Sequence, residues 1–132
     1  MLHLRGWVRL AKFFARFNLL VHKVSISPQS CIGPGCRLSH PPGVIFHGQA
    51  GRSLTLFSMA VCCADEFHHH GDLQFAPVLG DNVQLGGHAV VIGPIQVGSD
   101  TKISYLVKLA ENVSPNSLVV SRAMHINISP RE

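Results

Sequence analysis

Residues 79–113 read LGDNVQLGGHAVVIGPIQVGSDTKISYLVKLAENV. An aliphatic side chain returns at every sixth position, at Leu79, Leu85, Val91, Val97, Ile103 and Leu109. Four residues after each comes a small or β-branched one: Val83, Ala89, Ile95, Thr101, Val107 and Val113. A period of six suits neither an α-helix nor a heptad, but it is an even multiple of the strand period of two. The same column can therefore face inward each time. Gly80-Asp81-Asn82, Gly93-Pro94 and Gly98-Ser99-Asp100 supply turn residues between the columns. The pattern predicts short strands joined by tight corners and wound into a solenoid.

Outward from this stretch, Ile26, Ile32, Leu38, Val44, Ala50, Leu56 and Cys62 extend the first column upstream, and Ser30, Cys36, Leu54 and Ala60 the second. Seventeen residues separate Cys62 from Leu79, which is no multiple of six, so residues 64–77 must leave the coil and return as a loop. An ordinary β-sandwich with fortuitous spacing is the competing fold. Each coil of a solenoid needs neighbours to bury its interior, and flat faces suit a closed symmetric oligomer.

The composition agrees. With 132 residues the chain forms one domain, and 46% hydrophobic against 14% charged residues excludes disorder. No acid precedes Asp65, so residues 1–64 carry +7 from Arg5, Arg9, Lys12, Arg16, Lys23, Arg37 and Arg52, while the remainder carries −3. Such a half attracts an anionic surface or a phosphorylated ligand. Aromatic residues do not alternate with the basic ones on strands, so nucleic acid is not expected as a partner. Cys31, Cys36, Cys62 and Cys63 form no paired CxxC knuckles and read as reduced thiols of a cytoplasmic protein.

Residues 2–21 read as a helix with Arg5, Arg9, Lys12, Arg16 and Lys23 along one stripe. Its apolar runs are too short and too interrupted by charge to span a bilayer. It either packs on the protein or a neighbouring subunit, or lies on an anionic membrane surface through residues 2–23, peripheral to the inner face. The expected division is an amphipathic helix at 1–23, a repeat domain at 24–121 with its excursion at 63–77, and a tail at 122–132.

Residues 77–98, from Pro77 through Leu85-Gly86-Gly87-His88 to Val97-Gly98, resemble the repeat core of serine acetyltransferases, and equally their shorter relatives in surface-polysaccharide synthesis. Ile32-Gly33-Pro34-Gly35-Cys36-Arg37-Leu38-Ser39-His40 resembles the family's active-site coil, and Ser114-Pro115-Asn116 opens a stretch similar to its closing segment. The resemblance implies a mainly β fold, a left-handed parallel β-helix of hexapeptide repeats behind the N-terminal α-helix. It further implies a homotrimer in which acetyl-CoA lies between adjacent β-helices, with no metal required. His40 matches the family's general base, which takes the proton of an acceptor hydroxyl so that the oxygen can attack the thioester. By the same resemblance Gly86, Gly87, Ser104 and Tyr105 line the acetyl-CoA groove, Arg122 contacts its phosphates, and Asp65, His68, His69 and His70 approach the acceptor as auxiliary groups.

The chain departs from the family at several points. Ser25 stands where an acid orients the base, Ala76 where a second histidine is expected, and Ser104-Tyr105 where the family has Gly-Ala. Two residues are missing near Ala50-Gly51. The expected activity is O-acetyl transfer to L-serine or a sugar hydroxyl. The alternatives are a trimeric scaffold that has lost catalysis and, on the same solenoid, a zinc hydratase like the γ-class carbonic anhydrases, for which His88 falls one position late.

Overall fold

A side chain that returns inward every six residues leaves a backbone turning the same way at each corner. The computed structural model, which describes residues 2–65 and 73–121, has this shape. Helix α1 (Leu2–His22) contains no proline and ends at Lys23, whose left-handed φ of 56° and N–H to the Leu19 carbonyl (3.0 Å) close it. Five coils follow. The first is β1 (Ser25–Ile26), β2 (Cys31–Ile32) and β3 (Arg37–Ser39); the second is β4 (Ile45–Phe46), β5 (Gln49–Ala50) and β6 (Thr55–Phe57). The third runs from β7 (Val61–Cys63) through the excursion, with its 3-10 turn at Leu73–Phe75, to β8 (Val78–Leu79) and β9 (Gln84–Leu85). The fourth is β10 (Val90–Ile92), β11 (Gln96–Val97) and β12 (Lys102–Ile103); the fifth has β13 (Lys108–Leu109), a single bridge at Val113, and β14 (Leu118–Val119).

The coils stack into three parallel faces. Face A is β1-β4-β7-β10-β13, face B is β2-β5-β8-β11 and face C is β3-β6-β9-β12-β14. Every pairing is parallel, which removes the β-sandwich. One apolar core runs up the axis, with Phe46, Leu54, Leu56, Leu85 and Ile103 at most 2% exposed. The first coil is the end of the stack: β1, β2 and β3 are edge strands, and Leu38 is 39% exposed.

The columns hold except at two places. A regular coil takes eighteen residues, as in Cys31↔Gln49 and Gln84↔Lys102, but Ser25↔Ile45 takes twenty and Ile45↔Val61 sixteen. The stretch Pro41-Pro42 lengthens the first corner, and the chain is short by two between Phe46 and Gln49, just before the expected gap near Ala50-Gly51. Phe46 therefore takes the first-column place expected for Val44, which moves to the corner and stays buried. Val113 likewise pairs with Val97 and belongs to the first column. Both shifts are even, so inside remains inside and the count of six could not detect them.

The corner between faces B and C shows why glycine recurs. A Cβ on Gly33 would meet the backbone of Gly51 at 2.7 Å, and one on Gly80 the backbone of Ser99 at 2.6 Å. Side chains tie this corner vertically: Asp81 accepts from the Arg52 N–H (2.7 Å), and the Asn82 amide donates to Asp100 (2.9 Å).

Candidate functional site

Outward positions on face C alternate with core positions, so the strands that bury Leu56, Leu85 and Ile103 turn Thr55, Phe57, Gln84, Lys102 and Ser104 the other way. Two depressions lie along this face. One of about 440 Å³ is lined by Arg37, Leu38, Ser39, Thr55, Phe57 and Gln84. The other, about 270 Å³, is bounded by Gly86, Gly87, Lys102, Ser104, Tyr105 and Leu118, and it too includes Phe57 and Gln84. The two share Phe57 and Gln84 and so run on as one groove, and its lining includes Ser39, the residue before His40.

Four of the expected acetyl-CoA residues, Gly86, Gly87, Ser104 and Tyr105, lie together around the second depression. Gly86 is flat because the next coil leaves no room: a Cβ there would meet the Tyr105 nitrogen at 2.5 Å. Tyr105 is 69% exposed and stands at the rim. Arg37 and Lys102 line the groove, and no carboxylate is among its described lining residues. Reading the inward columns alone missed these cations, although strand alternation places them outward.

His40 sits at the corner between faces C and A. Its side chain is exposed, and its carbonyl accepts a short bond from the Ser58 hydroxyl (2.5 Å). The His88 N–H donates to the Ser58 carbonyl (3.0 Å), and the Leu106 N–H to that of Gly87 (3.0 Å), so this edge is fixed coil by coil. Among the described residues no carboxylate bonds to the His40 ring, and Ser25, on β1 of the same coil, is half-buried. Asp65 lies elsewhere: the excursion leaves from the corner between faces A and B, at the far end of face A from His40. Within one chain the structure therefore does not bring Asp65 to His40. His68, His69, His70 and Arg122 lie outside the described residues. No group of three or more His, Cys, Asp and Glu that could hold a metal ion occurs among the described residues.

Most of α1 is exposed, Trp7, Phe13 and Leu20 at 68%, 63% and 73%; Ala15 and Asn18 are half-buried. No described helix is long and apolar enough to cross a membrane.

No family model matches the chain. It is 30% identical to the serine acetyltransferase of Mycobacterium tuberculosis over 118 residues, covering 88% of this chain and 50% of that enzyme. Against the serine acetyltransferase of Buchnera aphidicola it is 27% identical over 115 residues, 85% of this chain and 44% of the relative. The chain thus spans about half the length of these relatives. The crystal structure of Neisseria gonorrhoeae serine acetyltransferase in complex with serine superposes with a TM-score of 0.80 at 28% identity, over 92% of this chain and 49% of that one. With the stacked parallel coils, the repeat columns and these matches, the chain is a serine acetyltransferase-like member of the hexapeptide-repeat acyltransferase family.

Proposed function

We propose that this chain moves an acetyl group from acetyl-CoA to a hydroxyl, that of L-serine or of a sugar in surface-polysaccharide synthesis. The observation that supports the reading is the face C groove, whose described lining holds Arg37 and Lys102 and no acid, and includes Ser39, the residue before the exposed His40. Arg37 and Lys102 suit the phosphates of the cosubstrate, and the bare surface at Gly86 and Gly87 suits its extended pantetheine arm.

The chemistry needs one positioned base. The neutral His40 imidazole accepts the proton of the acceptor hydroxyl as its oxygen attacks the thioester carbon. Backbone N–H groups stabilise the oxygen that gains charge; the carbon–sulfur bond then breaks, and the imidazolium returns its proton to the leaving thiolate. With no carboxylate on its ring from the described residues of its own chain, His40 gains from them no help in holding that positive charge, and the rate stays below that of a His–carboxylate pair. The auxiliary role assigned to Asp65 and to His68, His69 and His70 requires a neighbouring copy, because Asp65 and His40 stand at opposite ends of face A. A homotrimer closed through the flat faces supplies that arrangement.

His40→Gln tests the assignment in a thiol-release assay against serine and a panel of hexoses: turnover falls about 10²-fold or more while the thermal midpoint holds. Equal turnover would overturn it. The missing carboxylate also favours a second reading, a trimeric scaffold that binds without turning over. That reading is supported if wild type releases no thiol and acetyl-CoA produces no binding heat.

We also assign α1 a contact with the anionic inner face of a membrane. The basic stripe lies beside outward Phe13, Phe17 and Leu20, the arrangement of a helix that rests in an interface. Flotation with phosphatidylserine vesicles on a density gradient, where an aggregate sinks, should be lost when residues 1–23 are removed; equal flotation of the two forms would discard it.

A further inference from the structure

A general base must be aimed as well as available, and the direction of a ring begins with the peptide that carries it. At His40 that peptide is held against two local preferences. Its φ of 56° is left-handed, which any residue with a side chain disfavours, and Pro41 steers the residue before it toward extended backbone. Relaxation to extended chain would swing the Cα–Cβ bond, and the imidazole with it, to a new direction.

The turn that follows is poorly equipped to hold itself. It makes the first coil two residues longer than a regular one, since Ser25 pairs with Ile45. Pro41 and Pro42 bring no N–H to it. A tie from the next coil is therefore needed, and Ser58 supplies one. The register Ser39↔Phe57 on face C brings the residues that follow, His40 and Ser58, to the same corner of adjacent coils. There the Ser58 hydroxyl donates to the His40 carbonyl (2.5 Å). Ser58 is half-buried, and its own carbonyl accepts from the His88 N–H (3.0 Å), so the hydroxyl stands on a peptide fixed by the third coil. The Met59 N–H, donating to the Pro42 carbonyl (3.1 Å), fastens the other side of the turn.

We propose that Ser58 is a positioning residue for the general base. Its hydroxyl holds the left-handed peptide of His40 and so sets where the imidazole points when the acceptor arrives. The inference rests on the acetyl-transfer reading and adds to it a residue that lines neither depression of face C. Removing that hydroxyl leaves the cosubstrate groove in place, so its effect belongs to turnover and not to binding.

Thiol release by the full chain, with whichever of serine and the hexoses supports turnover, tests this. Ser58→Ala should lower kcat about tenfold or more and leave the KM for acetyl-CoA within about twofold, with rates compared below the thermal midpoint of each form. Ser58→Thr, which keeps a hydroxyl, should regain most of the lost kcat. Added to His40→Gln, Ser58→Ala should cost less than about threefold more, because no base is left to aim. An active wild type matched by Ser58→Ala overturns the proposal and spares the acetyl-transfer reading. So does a loss that falls on KM, that persists in Ser58→Thr, or that repeats in full on His40→Gln. A wild type that releases no thiol with any acceptor removes the reading, and the proposal with it.

Discussion

His40 adopts a left-handed backbone, φ 56°, which a residue other than glycine or asparagine seldom does. Strain at a proposed base invites a catalytic explanation. Met59, His88 and Leu106, in equivalent places along the same edge, have φ of 59°, 57° and 59°, and the backbone hydrogen bonds align them with Gly43 (φ 79°), so the left-handed residue at His40 is an additional one in the corner that Pro41-Pro42 lengthens. What distinguishes His40 is position, exposed at the corner directly after Ser39 of the face C lining. Cys62 shows the opposite case, a residue whose surroundings suppress its chemistry. Burial, reinforced by the neighbouring Cys63, pushes its thiol far up from the ordinary 9.0, and it is fully buried. The folded chain keeps that proton where the unfolded chain begins to release it, so Cys62 adds no pH dependence to stability below about pH 8. Above about pH 9 stability falls as pH rises. Urea titrations at pH 7.5 and 9.5 should show the loss, and Cys62→Ala should reduce it. Of the four cysteines, Cys31 should react promptly with Ellman reagent in the native protein and Cys62 only after unfolding.

At the scale of the coil, adjacent glycines have different duties. A Cβ at Gly86 would lie 2.5 Å from the Tyr105 nitrogen and 2.7 Å from the Ser104 carbonyl carbon, both backbone, whereas one at Gly87 would meet only the Ser58 oxygen at 3.5 Å. Gly86→Ala should therefore cost about 1–3 kcal/mol, read as a thermal midpoint lower by roughly 4 °C or more, and Gly87→Ala should be close to neutral. Equal midpoints for the two would contradict the stacking. The same coils show what the sequence could disclose. Leu79, Leu85, Val91, Val97 and Ile103 were legible because strict six-residue spacing survives where no residue is gained or lost. Val44 and Val113 were misplaced because even-numbered shifts leave the alternation intact. His40, Gly86 and Tyr105 were named through resemblance alone; nothing in their spacing says that Gly86 and Tyr105 line one depression or that His40 follows Ser39 at the rim of the other. Arg37 and Lys102 were missed because attention to the core overlooks the residues between, and the distance from Asp65 to the His40 edge is a matter of corners that no linear count supplies.

For the whole molecule, three flat faces around a single core leave much apolar surface outside, from Ile45 at 46% to Leu118 at 69% exposure. Light scattering should return a mass near three times 14.3 kDa. A monomer at micromolar concentration would argue against any catalytic arrangement in which one copy's excursion serves another's histidine. The uncovered floor of the first coil carries a consequence of its own. A pile of similar layers has no inherent reason to stop, and its bottom rung consists of edge strands on each of its three sides, an invitation to another chain to continue the pile. Here α1 packs beside β1, and the Asn18 amide reaches the Val24 carbonyl (3.3 Å). The helix thereby serves as a stopper, and a protein shorn of it is poised to thread end to end into fibres.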